Sequence, residues 1–192
     1  MRFLTRVSDT VARIERVALM ALIAMILGLM VLNVTTRAMN VSLYWVDELA
    51  INLMIVSAFV GTSVIFRRRG NFAVTIISDL LPDTARRWLS TCVQLINLGF
   101  ALFLVAVTWL WFDPVTLAAN RFDIELYFAG TFNSVYTEMT STIGVRRFWF
   151  FLVMPWFALS LSIHCLACLA EDLSDFHAGG TSRLRAEPGA EP

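Results

Sequence analysis

The sequence predicts an all-α polytopic membrane protein with four transmembrane helices and a short amphipathic interfacial helix. Hydrophobic residues make up 58% of the chain and charged residues 16%, against roughly 45–50% and about 25% in soluble domains. Four charge-free apolar runs meet or approach the length of about 20 residues that a helix needs to cross a bilayer. Because lipid offers no partner for free backbone N–H and C=O groups, each run must be helical.

The predicted transmembrane domain covers residues 1–172, with spans at about 17–36, 45–66, 88–112 and 148–170. The first span follows an Arg-rich start, as a signal peptide would. It is too long for a signal-peptide core, however, and no small-x-small cleavage site follows it, so we expect an uncleaved anchor. The second run is the shortest and is extended by Tyr44–Val46. The six Trp residues cluster near span ends, which is typical of the membrane interface.

The distribution of Arg, in a chain without Lys, predicts that both termini lie in the cytoplasm. On one side of the predicted membrane, the N-terminal tail and the loop between the second and third spans carry nine Arg: Arg2, Arg6, Arg13, Arg16, Arg67, Arg68, Arg69, Arg86 and Arg87. The other side carries four: Arg37, Arg121, Arg146 and Arg147. The formal net charge of zero argues against nucleic acid as a partner.

Three segments lie outside the spans. Asn71–Leu81 has apolar residues at helical spacing and predicts the short amphipathic helix, either in the inner interface or packed on protein. Asp113–Arg147 is the longest outer segment; its uncharged part, Leu126–Thr137, is too short to span and is expected to enter the interface or to pack on a partner. Residues 173–192 are predicted to be a disordered cytoplasmic tail.

His164, Cys165 and Cys168 form an H-C-x-x-C sequence near the inner end of the fourth span. A C-x-x-C pair can bind metal or be redox-active, but no second Cys pair completes a zinc site. Haem ligation through His164 would normally need a second axial ligand. We therefore expect no cofactor and no metal, with His164 hydrogen-bonding between helices. A membrane-anchoring subunit of a haem- or quinone-linked redox complex is the alternative function.

Small residues at four-residue spacing, such as Ser57 and Gly61, allow close helix packing. No predicted span carries a charge at its centre, and mid-membrane ionisable groups usually mark ion or proton pathways. The sequence also has no visible catalytic constellation. We therefore expect neither an enzyme nor a chain that conducts ions by itself.

The sharpest local pattern is Tyr44–Leu49, at the outer start of the second span. Asp47 and Glu48 in the first helical turn complement the helix dipole, which suffices to explain them. The functional interpretation is that they hold a partner helix or a docking protein.

Three motifs carry a resemblance to a known family. The W-V-D-E-L-A sequence at Trp45–Ala50 continues through Ala58–Ser63 and ends in F-R-R-R-G at Phe66–Gly70. The stretch Ile143–Trp156 places a Pro after an aromatic entry to the last span. Together they resemble the small membrane subunit (DctQ type) of tripartite ATP-independent periplasmic (TRAP) transporters, over roughly Val17 to Asp172.

The resemblance implies a three-part importer in the bacterial inner membrane. A periplasmic substrate-binding protein captures an organic acid, and a large membrane subunit moves it inward using a sodium gradient. The small subunit acts as a scaffold for the large one and is a candidate for docking the binding protein. The resemblance points to two groups of residues. The expected partner-binding residues are Trp45, Asp47, Glu48, Ser57 and Gly61, and the expected cytoplasmic turn is Arg67, Arg68, Arg69 and Gly70.

Two departures from the family pattern stand out. Asn71 occupies a place where the family often has His, and the outer segment Asp113–Arg147 is longer than usual.

Overall fold

The computed structural model describes residues 2–68 and 81–177 of the chain. Within these residues the fold is helical, and its only extended pairing is an isolated bridge between Met139 and Arg146. Four long helices carry the bundle: α1 (Arg2–Ala38), α2 (Tyr44–Arg67), α3 (Asp83–Phe112) and α7 (Val153–His177). Between α3 and α7 lie α4 (Pro114–Ala119), α5 (Ile124–Thr131), a 3-10 turn (Ser134–Tyr136) and α6 (Phe148–Phe151).

All four long helices are long and apolar enough to cross a membrane, as the sequence predicts. Helix α1 differs most from its predicted span, since its 37 residues start fifteen positions before residue 17. At 1.5 Å per residue it is about 55 Å long, and a bilayer's hydrocarbon core is about 30 Å thick. Most of the N-terminal tail is thus a continuous extension of the first span.

The predicted amphipathic helix at Asn71–Leu81 falls outside the described residues, apart from Leu81. Of the predicted tail, 173–177 complete helix α7, and 178–192 fall outside the described residues. The remaining prediction for that tail stays a prediction.

Helix α7 is the centre of the bundle. Helices α1, α2 and α3 all pack against it, and α1 also packs along α2. In the apolar window of each span, 56% of the residues are buried for α7, against 6% for α1 and 11% for α3. The main apolar core consists of Ala101 on α3 with Phe157, Leu161 and Cys165 on α7. Helices α1 and α3 therefore form the periphery and present most of their apolar side chains outward.

Local sequence explains where several helices begin and end. Pro82 precedes α3 in an extended conformation, which suits a residue that cannot donate a backbone hydrogen bond. Asp113 ends α3 in the left-handed region and accepts from the Thr116 backbone N–H, so it also begins α4. Asp123 begins α5 by accepting from the Glu125 and Leu126 N–H groups at 3.0 and 3.1 Å.

Candidate partner-binding surface

Asp47 connects the end of α1 with the start of α2. One carboxylate oxygen accepts a hydrogen bond from the Asn33 side-chain amide, and the other forms an ion pair with Arg37 at 2.8 Å. Arg37 also donates to Asn33 at 3.0 Å, so three side chains close a ring across the two helices. Asp47 is thus engaged within the chain, and its carboxylate fixes the hairpin between the first two spans.

Glu48 holds a loop of the outer segment that lies far away in sequence. Its carboxylate accepts from the backbone N–H groups of Ser141 and Thr142 at 2.7 and 2.6 Å and from the Thr142 hydroxyl at 2.5 Å. A longer bond comes from the Ile143 N–H at 3.3 Å. Three successive N–H groups around one carboxylate form an anion-binding concavity. The acid therefore ties the start of α2 to the segment that leads into α7.

The neighbouring Trp45 is 40% exposed. The Asp47 side chain is also 40% exposed, so Trp45 and Asp47 both have surface that a partner could contact. Through the contacts described above, the two acids hold the surrounding backbone in place. Their role in partner binding stays a prediction.

The outer segment folds into a compact cap over the end of α3. Its core consists of Tyr127, Val135 and Tyr136 packed on Phe112. The Tyr136 hydroxyl donates to the Phe112 carbonyl at 2.6 Å, and the Asn133 amide donates to the Trp111 carbonyl at 2.7 Å. These donors satisfy carbonyls that the end of a helix leaves without partners. Burial raises the pKa of Tyr136 above its ordinary value, so the hydroxyl keeps the proton it donates.

The outer surface of the cap carries exposed aromatic side chains. Phe122 and Phe132 are 71% and 82% exposed, and both have positive φ angles of 61° and 55°. A left-handed backbone is unfavourable for bulky residues, so these two positions hold exposed rings on strained turns. Leu126 is exposed beside them. The cap thus presents an apolar surface at the end of the bundle where α1 ends and α2 begins.

Ser57 and Gly61 lie on α2 where sequence analysis places a packing face. A Cβ atom at Gly61 would meet the Leu19 side chain of α1 at 3.7 Å, which is ordinary contact distance. The Ser57 hydroxyl donates to the Met54 carbonyl of its own helix at 2.8 Å. Gly61 therefore serves the α1–α2 contact inside the chain, and a partner contact at either residue stays a prediction.

The predicted cytoplasmic turn is only partly described. Arg67 forms ion pairs with Asp9 of α1 at 2.8 Å and with Glu171 of α7 at 2.9 Å. This one guanidinium joins three helices at the end opposite the cap. Arg68 is exposed, and Arg69 and Gly70 lie outside the described residues.

A buried polar cluster, which sequence analysis missed, connects α1, α2 and α7. Glu15 is 2% exposed and His164 is 1% exposed. Glu15 accepts from the Ser160 hydroxyl at 2.5 Å and from the Trp156 indole at 3.2 Å, and it lies 3.3 Å from His164 Nε2. The Ser8 hydroxyl lies 2.7 Å from His164 Nδ1.

One set of donors satisfies the whole cluster. Ser63 donates to Ser160 across 2.8 Å, Ser160 donates to Glu15, and His164 Nε2–H points at the same carboxylate. Ser8 then donates to His164 Nδ1. A buried carboxylate needs such donors to offset its lost hydration. The cluster is a closed polar contact among three helices, as expected of His164 from the sequence.

The signal that could have located this cluster is helical spacing in the N-terminal tail. Ser8, Ala12 and Glu15 lie on one face of a helix and continue to Leu19, and the first three are buried.

Comparison with known proteins gives one match. A family model described as "Tripartite ATP-independent periplasmic transporters, DctQ component" matches residues 26–175. This chain belongs to the DctQ family. It is therefore the small membrane subunit of a TRAP transporter. No curated protein and no solved structure matches the chain.

The DctQ match runs from the middle of α1 almost to the end of α7, so it includes Asp47, Glu48, the cap and His164. Glu15 and Ser8 precede it. Both ring nitrogens of His164 have hydrogen-bond partners within the chain. Cys165 and Cys168 are buried free thiols, and the described residues hold no group of three or more metal-binding side chains.

Proposed function

We propose that this DctQ-family subunit is the scaffold of a sodium-coupled importer of an organic acid in the bacterial inner membrane. In this proposal it holds the large membrane subunit in place and performs no reaction of its own. Its cap faces the periplasm and docks the substrate-binding protein. Both termini lie in the cytoplasm.

The observation that carries the scaffold role is the incompleteness of the bundle. Helices α1 and α3 reach across a membrane yet bury few residues within the chain. Met20, Leu27 and Val31 on α1 and Phe103 and Leu110 on α3 are exposed apolar side chains. Such faces need lipid or another membrane protein to cover them. In a family whose transporters contain a large membrane subunit, that subunit is the natural partner.

Polar contacts near both ends of the bundle support a rigid role. At one end Arg37, Asn33 and Asp47 close the α1–α2 hairpin. At the other, Arg67 joins α1, α2 and α7, and Ser90 of α3 donates to Asp172 of α7 at 2.6 Å. Helices fixed to one another at both ends keep their spacing. A transporter with a moving part needs a part that stays still, and this bundle fits that need.

The cap supports docking of the binding protein. It is held to α2 through Glu48 and to α3 through Tyr136, so its exposed rings, Phe122 and Phe132, have a fixed position. Exposed aromatic side chains on a firm support are typical of binding hot spots. More Arg residues lie on the opposite side of the predicted membrane, which supports a periplasmic location for this cap.

The proposal is tested by deletion and co-purification. Removing this chain from cells that carry the large subunit and the binding protein is expected to abolish uptake of the organic acid, and the intact chain supplied in trans should restore it. A tagged chain should retain the large subunit in mild detergent. Uptake that proceeds normally without the chain would overturn the scaffold role. Uptake that persists when sodium is replaced by potassium would overturn the sodium coupling alone.

A further inference from the structure

A charged cleft opens between α1 and α2, at the end of the bundle opposite the cap, with α7 at its side. Its volume is about 500 Å³. Four Arg and two acids line it, together with Ala12 and Val64: Asp9, Arg13, Arg16, Arg67, Arg68 and Glu171. The lining residues therefore carry a net charge of +2.

The Arg residues of the cleft differ in their partners. Arg67 is 13% exposed at its side chain and is neutralised by Asp9 and Glu171. Arg13, Arg16 and Arg68 are exposed, and among the described residues none gives them an ion pair. Arg67 thus uses both acids of the cleft. The charges of Arg13, Arg16 and Arg68 are therefore available to a ligand.

The cleft lies at the depth of lipid headgroups. Arg16 directly precedes the charge-free run that starts at Val17, and Arg67 directly follows the apolar run of α2. Val17 and Met20 on α1, which follow Arg16, and Ile65 on α2, which follows the lining residue Val64, are exposed apolar side chains. A lipid could pair its phosphate with the guanidinium groups and lay its acyl chains along these apolar side chains. Basic pockets between transmembrane helices bind such headgroups.

We propose that this cleft binds the headgroup of an anionic phospholipid. Arg16 of α1 and Arg68 at the end of α2, which both line the cleft, pair with the phosphate, and Arg13 adds to the positive field. The surplus of charge favours a lipid with net negative charge over a zwitterionic one, whose ammonium group the cleft repels. In the orientation proposed above, the cleft lies in the inner leaflet, but the binding of the lipid does not depend on that orientation.

The test uses the full-length chain in nanodiscs of phosphatidylethanolamine with a minor fraction of phosphatidylglycerol. Native mass spectrometry then measures which lipid stays bound. The intact chain should retain phosphatidylglycerol preferentially. The Arg16→Gln, Arg68→Gln double variant should lower that preference about 25-fold, at roughly fivefold for each Arg near the membrane surface.

The matched control is the Arg121→Gln, Arg146→Gln double variant, which removes the same charge from exposed residues of the outer segment. It should keep the preference. Equal losses in both variants would mean a diffuse charge effect and would overturn the site, as would an unchanged preference in the Arg16, Arg68 variant. Displacement of the lipid by millimolar inorganic phosphate would overturn the lipid assignment in favour of a soluble phosphate ligand. Because nanodiscs have identical leaflets, a wrong orientation would not affect the result.

Discussion

The carboxylate of Glu48 is surrounded by donors that all belong to its own chain. An amide in its place has only one acceptor oxygen, and its NH₂ group would face backbone N–H groups. The Asp47→Asn, Glu48→Gln double variant is therefore expected to loosen residues 141–143 and the α1–α2 hairpin. It should insert normally but retain less of the large subunit and restore less uptake. Co-purification and uptake in the deletion strain measure this.

The matched control for this double variant is Glu125→Gln, since Glu125 is an exposed acid in the first turn of α5. It should behave as the intact chain does. If transport and assembly are unchanged when both Asp47 and Glu48 are replaced, these acids serve only the fold of this subunit.

Glu15 is the residue on which three helices converge. Glu15→Leu deprives Ser160 and Trp156 of their acceptor and leaves His164 facing an apolar side chain. We expect a loss of about 2 kcal/mol, since a buried donor without a partner costs roughly 1–3 kcal/mol and interhelical hydrogen bonds in membranes are of modest strength. Glu15→Gln keeps one acceptor oxygen and should cost less. Thermal unfolding in detergent, followed by circular dichroism, measures the difference.

Replacement of the exposed Glu125 by Leu is the control for the loss of a carboxylate, and its stability should stay near that of the intact chain. Equal stability of the Glu15→Leu and intact chains would show that the polar cluster contributes nothing net to the bundle.

At the scale of elements, the cap depends on two side chains that reach back to the end of α3. Tyr136 and Asn133 satisfy the carbonyls of Phe112 and Trp111. Their combined replacement, Tyr136→Phe with Asn133→Ala, removes both donors, at about 1 kcal/mol each. The cap should open more often while the four long helices persist. Limited proteolysis is expected to cut residues 113–147 faster than in the intact chain.

Tyr44→Phe is the matched control for the lost hydroxyl, because Tyr44 is 70% exposed. It should leave the cleavage rate unchanged. A cap that resists protease equally in the double variant would mean that its aromatic core alone, around Tyr127 and Phe112, holds it in place.

The elements divide into those that hydropathy predicts and those that it does not. The spans followed from apolar runs, because the bilayer selects helices by length and composition. Hydropathy does not predict the extension of α1 before Val17, because polar residues of this part are held by tertiary contacts such as that of Asp9 with Arg67. The Glu48 contact with Thr142 joins residues 94 positions apart. No local sequence pattern predicts such a long-range contact, although the sequence does single out the motif that contains Glu48.

Across the described residues, the ion pairs lie toward the two ends of the bundle, and the apolar core and the buried cluster around Glu15 and His164 lie between them. Apolar packing is not directional, so the core around Ala101 and Leu161 does not by itself fix the register of the helices. The ion pairs fix that register: Asp47 pairs with Arg37 at one end and Arg67 with Glu171 at the other. Helices that could slide past one another are thereby fixed in register, as a scaffold requires.

The orientation of this bundle can be tested with two matched positions. Ser42 lies exposed between α1 and α2, and Thr10 is exposed on the N-terminal part of α1. In a chain that also carries Cys92→Ala, the Ser42→Cys variant should react with a membrane-impermeant maleimide added to intact spheroplasts. The Thr10→Cys variant should react only after the membrane is permeabilised. This follows from nine Arg in the N-terminal tail and the loop between the second and third spans, on the Thr10 side, against four on the other, because translocating arginine is costly. The reverse labelling would place the cap in the cytoplasm, where it could not meet a periplasmic protein.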